Sequence, residues 1–395
     1  MRSSPSLRLT RAARAFLRGD RALTTSNYTT PQPNVIPQLD GLRAFAALLV
    51  VFSHTGSVGL PVIFPALAGI FGVLLFFMLS GFLMGYLYLH KPADTPAIAH
   101  YVSARIARIA PIYLLAVTLA YTVSLYLGDK FIYYIELRDY LRLMAFAGSN
   151  HVFWSIPPEI QFYVTFIATW IAIKRKFLQR YAPAVVTLAG VLLLFRPVFP
   201  GITIASHFHI FFLGVILAAY VRREGTIPMT PAVAGVIQAA SIAAILIASF
   251  RIWPDQEFLN SVGWGSNGVV YGKIGLTLCF GAFLLASTVP NRFGNAVFGN
   301  PVVRRVGGYS FSLYLLHEPV LAGTRYVTTG LMPGGMQIVT GVALALILSA
   351  MCFHGFERPV QDMLRGPLAK AVQAATIAIR KMLKMPRRAA LVTAE

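Results

Sequence analysis

Residues 38–56 read QLDGLRAFAALLVVFSHTG, an apolar run with Arg43 near one end and His54 near the other. A hydrocarbon core of about 30 Å takes about 20 apolar residues to cross as helix, so the run is expected to span a membrane. From Arg43 to His54 a helix rises about 16 Å in about three turns, which puts both side chains on nearly one face. Between Leu39 and Ser53 the other ionisable groups are Asp40 and Arg43, so His54 stands alone at depth. An ionisable group there is costly and usually faces a bundle interior or a wet cavity. His54 is therefore either a packed structural histidine or a group that handles protons.

The rest of the chain continues the apolar theme. Of 395 residues 56% are hydrophobic and 12% charged, a balance that excludes an ordinary soluble domain. The expected fold is an all-α, polytopic membrane helical bundle with about ten transmembrane helices, near 40–58, 67–89, 106–127, 158–174, 182–196, 205–221, 231–250, 268–288, 308–327 and 337–356. Most of the 34 lysines and arginines cluster between these runs on alternate sides, which implies an N-in and C-in orientation. The formal charge of +20 is thereby assigned to topology and not to nucleic acid. Cys279 and Cys352 both lie in apolar segments, so neither a disulfide framework nor a zinc cluster is expected, and no metal.

Three regions follow. Residues 1–36 form a basic arm suited to an anionic inner leaflet, although its arginine- and serine-rich composition also imitates a transit peptide. Residues 37–360 form the transmembrane domain. Residues 361–395 form a basic tail in which 364–388 space apolar and basic side chains as an interfacial helix would. No internal repeat is visible, and with no soluble catalytic domain expected on either side, any chemistry is expected to lie in the bundle.

Four more stretches carry candidates. In FGVLLFFMLSGFLMGY, Ser80 and Gly81 cut a small notch that serves either close helix packing or a ligand. In ARIARIAPIY, Arg105 and Arg108 lie three apart on one helical face, and with Arg43 they could make a three-arginine anion site for a nucleotide's phosphates. Read singly they are positive-inside residues. In FWSIPPEIQFY, Pro157 and Pro158 suit a helix start that Ser155 can cap, and Glu159 falls in its first turn. A carboxylate that orients an imidazole equips it as a general base, so Glu159 is expected to pair with His54; otherwise it satisfies its own helix terminus. In YSFSLYLLHEPV, Tyr314, His317 and Glu318 make either a second polar cluster or a kink at Pro319.

At these residues the chain resembles the acyltransferase family 3 membrane proteins. The resemblance runs from about Leu39 to Pro359. It rests on Arg43 and His54 with ten residues between them, on Phe76, Phe77, Ser80 and Gly81, on the arginine pair, on Trp154, Ser155, Glu159, Phe162 and Tyr163, and on the closing FERP. Leu74 stands where many relatives have an acid, and Glu159 is single where relatives often have two adjacent acids.

The resemblance implies a membrane O-acyltransferase of surface-polysaccharide type, taking an acyl group, acetyl by expectation, from cytoplasmic acetyl-CoA or another acyl-CoA to a hydroxyl. The acceptor would be a saccharide, a lipid-linked saccharide or another cell-envelope molecule, in a bacterial inner membrane. Arg43, Arg105, Arg108 and Ser80 would bind the donor, and His54 and Glu159 would be catalytic, by direct transfer or through an acyl-histidine. Trp154, Ser155, Tyr163, Tyr314 and His317 are further candidates. Acceptor choice is expected to rest on loops 128–152 and 251–268, whose aromatic residues suit sugar stacking or an interfacial belt. The competing expectation is a secondary transporter or flippase with a His/Glu proton relay.

Overall fold

The computed structural model describes residues 36–195, 198–225, 227–250 and 274–382. The chain divides into Met1–Ile36 and Pro37–Glu395, and the described helices belong to the second unit. The expected basic arm up to residue 35, the loop 251–268 and the tail beyond residue 382 lie outside the described residues.

The helices, in order, are α1 (Pro37–Ser53), α2 (Ala66–Tyr88), α3 (Thr95–Leu127), α4 (Leu137–Met144), α5 (Ile156–Lys174), the single turn α6 (Phe177–Arg180) and α7 (Ala182–Leu194). Then come α8 (Ile204–Glu224), α9 (Pro231–Phe250), α10 (Ile274–Ala286), α11 (Arg292–Val297), α12 (Pro301–Gly308), α13 (Ser310–Thr328), α14 (Gly334–Cys352) and α15 (Arg358–Met382).

Six helices among the described residues are long and apolar enough to cross a membrane: α2, α3, α5, α8, α9 and the rod formed by α14 and α15. The chain is an integral membrane protein built as an all-α polytopic bundle, and the expectation of ten spans is corrected. Helix α1 has 17 residues and stops at Ser53, one residue short of His54. Helices α7 and α10 have 13 residues each, which as helix reach about 20 Å, well short of a hydrocarbon core. Helix α13 has 19 residues but carries His317, Glu318, Pro319 and Arg325, too polar a set for a span. The N-in, C-in orientation was argued on the ten-span count and falls with it.

Helix α2 is the axis of the bundle: 78% of its apolar stretch is buried, against 39% or less in the other five. Its glycines explain how its neighbours come so near. A Cβ on Gly81 would run into the Phe211 carbonyl of α8, and one on Gly214 into the Met78 carbonyl of α2. The two backbones touch there, as small residues permit between membrane helices. Gly81 thus serves packing, while Ser80 beside it is free to turn elsewhere.

The N-terminus of α3 is fixed by Asp94, whose carboxylate accepts from the Ala97 N–H at 2.8 Å, and by Pro96 in the first turn. Pro157 and Pro158 open α5 as expected, but Ser155 makes no capping bond there. Between α14 and α15 the chain widens into a π-turn over Phe353–Glu357, a form that accommodates one extra residue per turn. That turn aims the glutamate of FERP inward: Glu357 is buried and accepts from Ser312 of α13 at 2.6 Å and from Gln361 at 3.2 Å. The bond from Ser312 fixes α13 against the rod, and α13 bears the second half of the site.

Candidate active site

Helices α1 and α3 bring Arg43, Arg105 and Arg108 to one cavity, which holds about 680 Å³ of space not filled by atoms, part of it open. Ser80 of α2, Ser155 from the turn before α5, Glu159 and Tyr163 of α5, and Ser310 and Tyr314 of α13 complete its polar lining. One carboxylate oxygen organises this wall. Glu159 Oε1 accepts from Ser80 Oγ at 2.7 Å and from the Tyr163 hydroxyl at 2.5 Å. The Arg105 guanidinium lies over the Tyr163 ring, 5.9 Å from its centroid, and among the described residues its buried Nε has no hydrogen-bond partner. A buried charged donor without an acceptor is expensive. The arrangement therefore suits an anionic ligand that several guanidinium groups grip together.

A second cavity adjoins the first. Val50, Ser53, His54 and Ser57 line it from α1 and the turn that follows, Val73 from α2, and His151, Val152 and Trp154 from the turn before α5. Tyr314 and Glu318 of α13 line it as well. Val73 and Tyr314 belong to both cavities and form the wall between them. The Tyr314 ring is pinned at its hydroxyl, which accepts from Ser155 Oγ at 2.9 Å and donates to the Val152 carbonyl at 2.8 Å. That bond is what Ser155 does in place of capping.

The tautomers of the two histidines follow from their partners. His317, fully buried, sets Nδ1 2.8 Å from the Tyr314 carbonyl and 3.1 Å from the Leu313 carbonyl. A carbonyl oxygen only accepts, so His317 Nδ1 carries the proton and its Nε2 offers a lone pair. That lone pair lies 3.3 Å from His54 Nδ1, which is also 2.8 Å from the Val50 carbonyl. His54 Nδ1 therefore holds the proton and shares it between two acceptors, which leaves His54 Nε2 as the basic nitrogen. The rings meet edge to face with centroids 5.0 Å apart.

Glu318 is buried, and the hydrogen bond its carboxylate takes comes from Ser57 Oγ at 3.3 Å. Tyr133, in the turn after α3, is its electrostatic neighbour. Burial, and then the charge of Glu318, hold the Tyr133 phenol well above its ordinary pKa, so it keeps its proton.

The structure brings Arg43, Arg105, Arg108, Ser80, Glu159, Ser155, Tyr163 and Tyr314 together in the first cavity, and His54, Trp154 and Tyr314 in the second. His317 stands behind His54. Glu159 and His54 are not brought together: Glu159 bonds to Ser80 and Tyr163, and the Val50 carbonyl and His317 take the place expected for it beside the imidazole. Ser57, His151 and Ser310 also line the site and give no signal in the sequence. Glu318 gave one, its place next to His317.

A family model described as an acyltransferase domain, Acyl_transf_3, matches residues 36–354. Among curated proteins, "Putative O-acetyltransferase SACOL0978" of Staphylococcus aureus (strain COL) is 25% identical over 361 residues, covering 82% of this chain and 57% of that protein. O-acetyltransferase OatA of Staphylococcus aureus (strain NCTC 8325 / PS 47) is 24% identical over 371 residues, 83% of this chain and 58% of that protein. The chain thus spans less than two thirds of the length of these relatives. No solved structure matches it. With the family model covering most of the chain, and Arg43, His54, Ser80, Arg105, Arg108 and Glu159 all lining the paired cavities, the chain belongs to the Acyl_transf_3 acyltransferase-domain family.

Proposed function

We propose that the protein is a membrane O-acyltransferase, moving an acyl group from acyl-coenzyme A to a hydroxyl of a saccharide or other cell-envelope acceptor in the inner (plasma) membrane of a bacterium. The relatives' names make acetyl the expected group. The observation that carries the reading is the pairing of two cavities of opposite chemistry across one wall: three arginines on one side, a histidine with a defined basic nitrogen on the other.

In this reading Arg43, Arg105 and Arg108 hold the donor's phosphates. The unpartnered Arg105 Nε supports that fit, since a phosphate oxygen supplies the acceptor it lacks. Glu159 is a positioning residue on the donor side, fixing Tyr163 beneath Arg105. The donor's acyl end passes Tyr314 to reach His54. His54 Nε2 takes the proton of the acceptor hydroxyl as its oxygen attacks the thioester carbonyl. The carbon–sulfur bond breaks, and the departing thiolate recovers the proton from His54. His317 and the Val50 carbonyl keep the imidazole oriented and share the charge it acquires.

The test is thiol release from acetyl-coenzyme A by the purified full chain in nanodiscs, with and without methyl α-glucoside as acceptor. Acceptor-stimulated release, lost in His54→Gln while acetyl-coenzyme A binding persists, is the expected result. Unaltered release in His54→Gln would remove the histidine from the mechanism.

A further inference from the structure

Around the acceptor the second cavity carries a charge pattern unlike that of the first. Three arginines face the first cavity. Among the described residues, the lining of the second includes no lysine or arginine, and its carboxylate is Glu318. Glu318 is 5% exposed, and the hydrogen bond it receives is a long one, from Ser57 Oγ at 3.3 Å. A carboxylate offers about four lone-pair sites, so one long bond from Ser57 and the approach of the Tyr133 hydroxyl still leave capacity for a ligand. The Tyr133 hydroxyl, buried beside it, is a further donor facing that carboxylate.

The groups around Glu318 belong to one kind of ligand. Trp154 and His151 bring aromatic rings to the lining of the same cavity, and Ser57 brings a hydroxyl. Carboxylate, indole and hydroxyl together suit a polyhydroxylated ligand, whose hydroxyls donate to the carboxylate and whose C–H faces lie on the ring. A ligand with its own carboxylate would meet Glu318 as a like charge in a poorly hydrated space, where such contacts cost most. His54 Nδ1 is occupied by Val50 and His317, so Nε2 is the atom left for a hydroxyl of that ligand.

We propose that Glu318 is the acceptor-reading residue of the His54 cavity, accepting a hydrogen bond from a hydroxyl next to the one that is acylated and so selecting uncharged saccharides that present neighbouring hydroxyls over anionic ones. The assignment rests on the acyl-transfer reading for which of the two ligands enters here. It concerns specificity and not the proton transfer itself: Glu318 binds the acceptor, and His54 deprotonates it.

The experiment is saturation-transfer NMR on the full chain in nanodiscs, with methyl α-glucoside and methyl glucuronide as probes, for wild type, Glu318→Gln and Glu318→Asp. Wild type is expected to bind the glucoside saturably and the glucuronide about tenfold more weakly or worse, the scale of one lost charged hydrogen bond. Glu318→Gln should close most of that gap. Glu318→Asp, which keeps the charge on a shorter arm, should weaken glucoside binding and keep the discrimination. Equal affinity for the two probes in wild type, no saturable binding of either, or an unchanged gap in folded Glu318→Gln would each overturn the assignment. Acetyl-coenzyme A binding on the same samples reads the arginine cavity separately. If it persists while the glycosides go undiscriminated, the Glu318 assignment alone fails; if wild type does not bind acetyl-coenzyme A, the acyl-transfer reading fails whatever the glycosides do.

Discussion

His54 sits where the backbone of α1 runs out, and its ring is held partly by the last turn of that helix. The Val50 carbonyl, four residues back, takes its Nδ1 proton, and His317, from a helix 263 residues away in sequence, supplies the second acceptor. Replacing His54 with glutamine keeps an amide that can donate to Val50 but removes the proposed base; turnover should fall by about 10²- to 10⁴-fold with the KM for acetyl-coenzyme A little changed. In the proposed mechanism His317 is a positioning residue, and its signature is graded. His317→Gln, which can still accept from His54, should retain more kcat than His317→Leu, with donor KM alike in both. Equal loss in the two variants would mean that His317 only fills space. At this scale the arginines were legible, because Arg105 and Arg108 fall three apart on a face that needs no tertiary knowledge. The histidine's partners were not. One is a backbone carbonyl, which every residue possesses, and the other depends on how α1 and α13 pack. The same ignorance led the sequence to Glu159, a plausible carboxylate that the packing of α2 against α5 spends on Ser80 and Tyr163.

At the scale of elements, the contact between α2 and α8 sets the geometry of the arginine cavity, because Ser80 lines the cavity and the next residue, Gly81, touches α8. Gly81→Ala drives a methyl into the Phe211 carbonyl, a backbone atom that cannot swing away. Overpacking of this kind costs about 1–3 kcal/mol. The unfolding midpoint in detergent should drop, and an unchanged midpoint would show that the helices part freely. Helix identity was largely readable from apolar runs, but span number was not. Runs near 182–196 and 268–288 contain shorter helices, and a stretch such as SFSLYLLHEPV reads as apolar while its polar residues face a cavity and neighbouring helices. Hydropathy averages over a helix and does not see which face carries the charge.

Across the whole molecule, a buried amide network joins segments far apart in the chain. Gln238 of α9, fully buried, donates to Gln38 of α1 at 2.8 Å and to Ser287 at 3.1 Å, and accepts from Asn291 at 3.0 Å. Gln38 in turn donates to Asn295 of α11 at 2.9 Å. Each of these residues is unremarkable in the sequence, and only the fold makes them a unit. Gln238→Leu strips partners from both Gln38 and Asn291, so it should cost about 1–3 kcal/mol in stability. Acetyl-coenzyme A affinity should be unaffected, since the network lies apart from the arginine cavity's lining; a loss of affinity without a loss of stability would contradict that separation.

The central claim is that donor and acceptor chemistry occupy two cavities with Val73 and Tyr314 between them. Equilibrium binding of acetyl-coenzyme A to wild type, Arg105→Ala/Arg108→Ala and His54→Gln tests it most directly. Saturable binding is expected in wild type, a loss of about tenfold or more in the arginine variant, and wild-type affinity in His54→Gln. Wild-type affinity in the arginine variant, or loss of binding in His54→Gln alone, would contradict it.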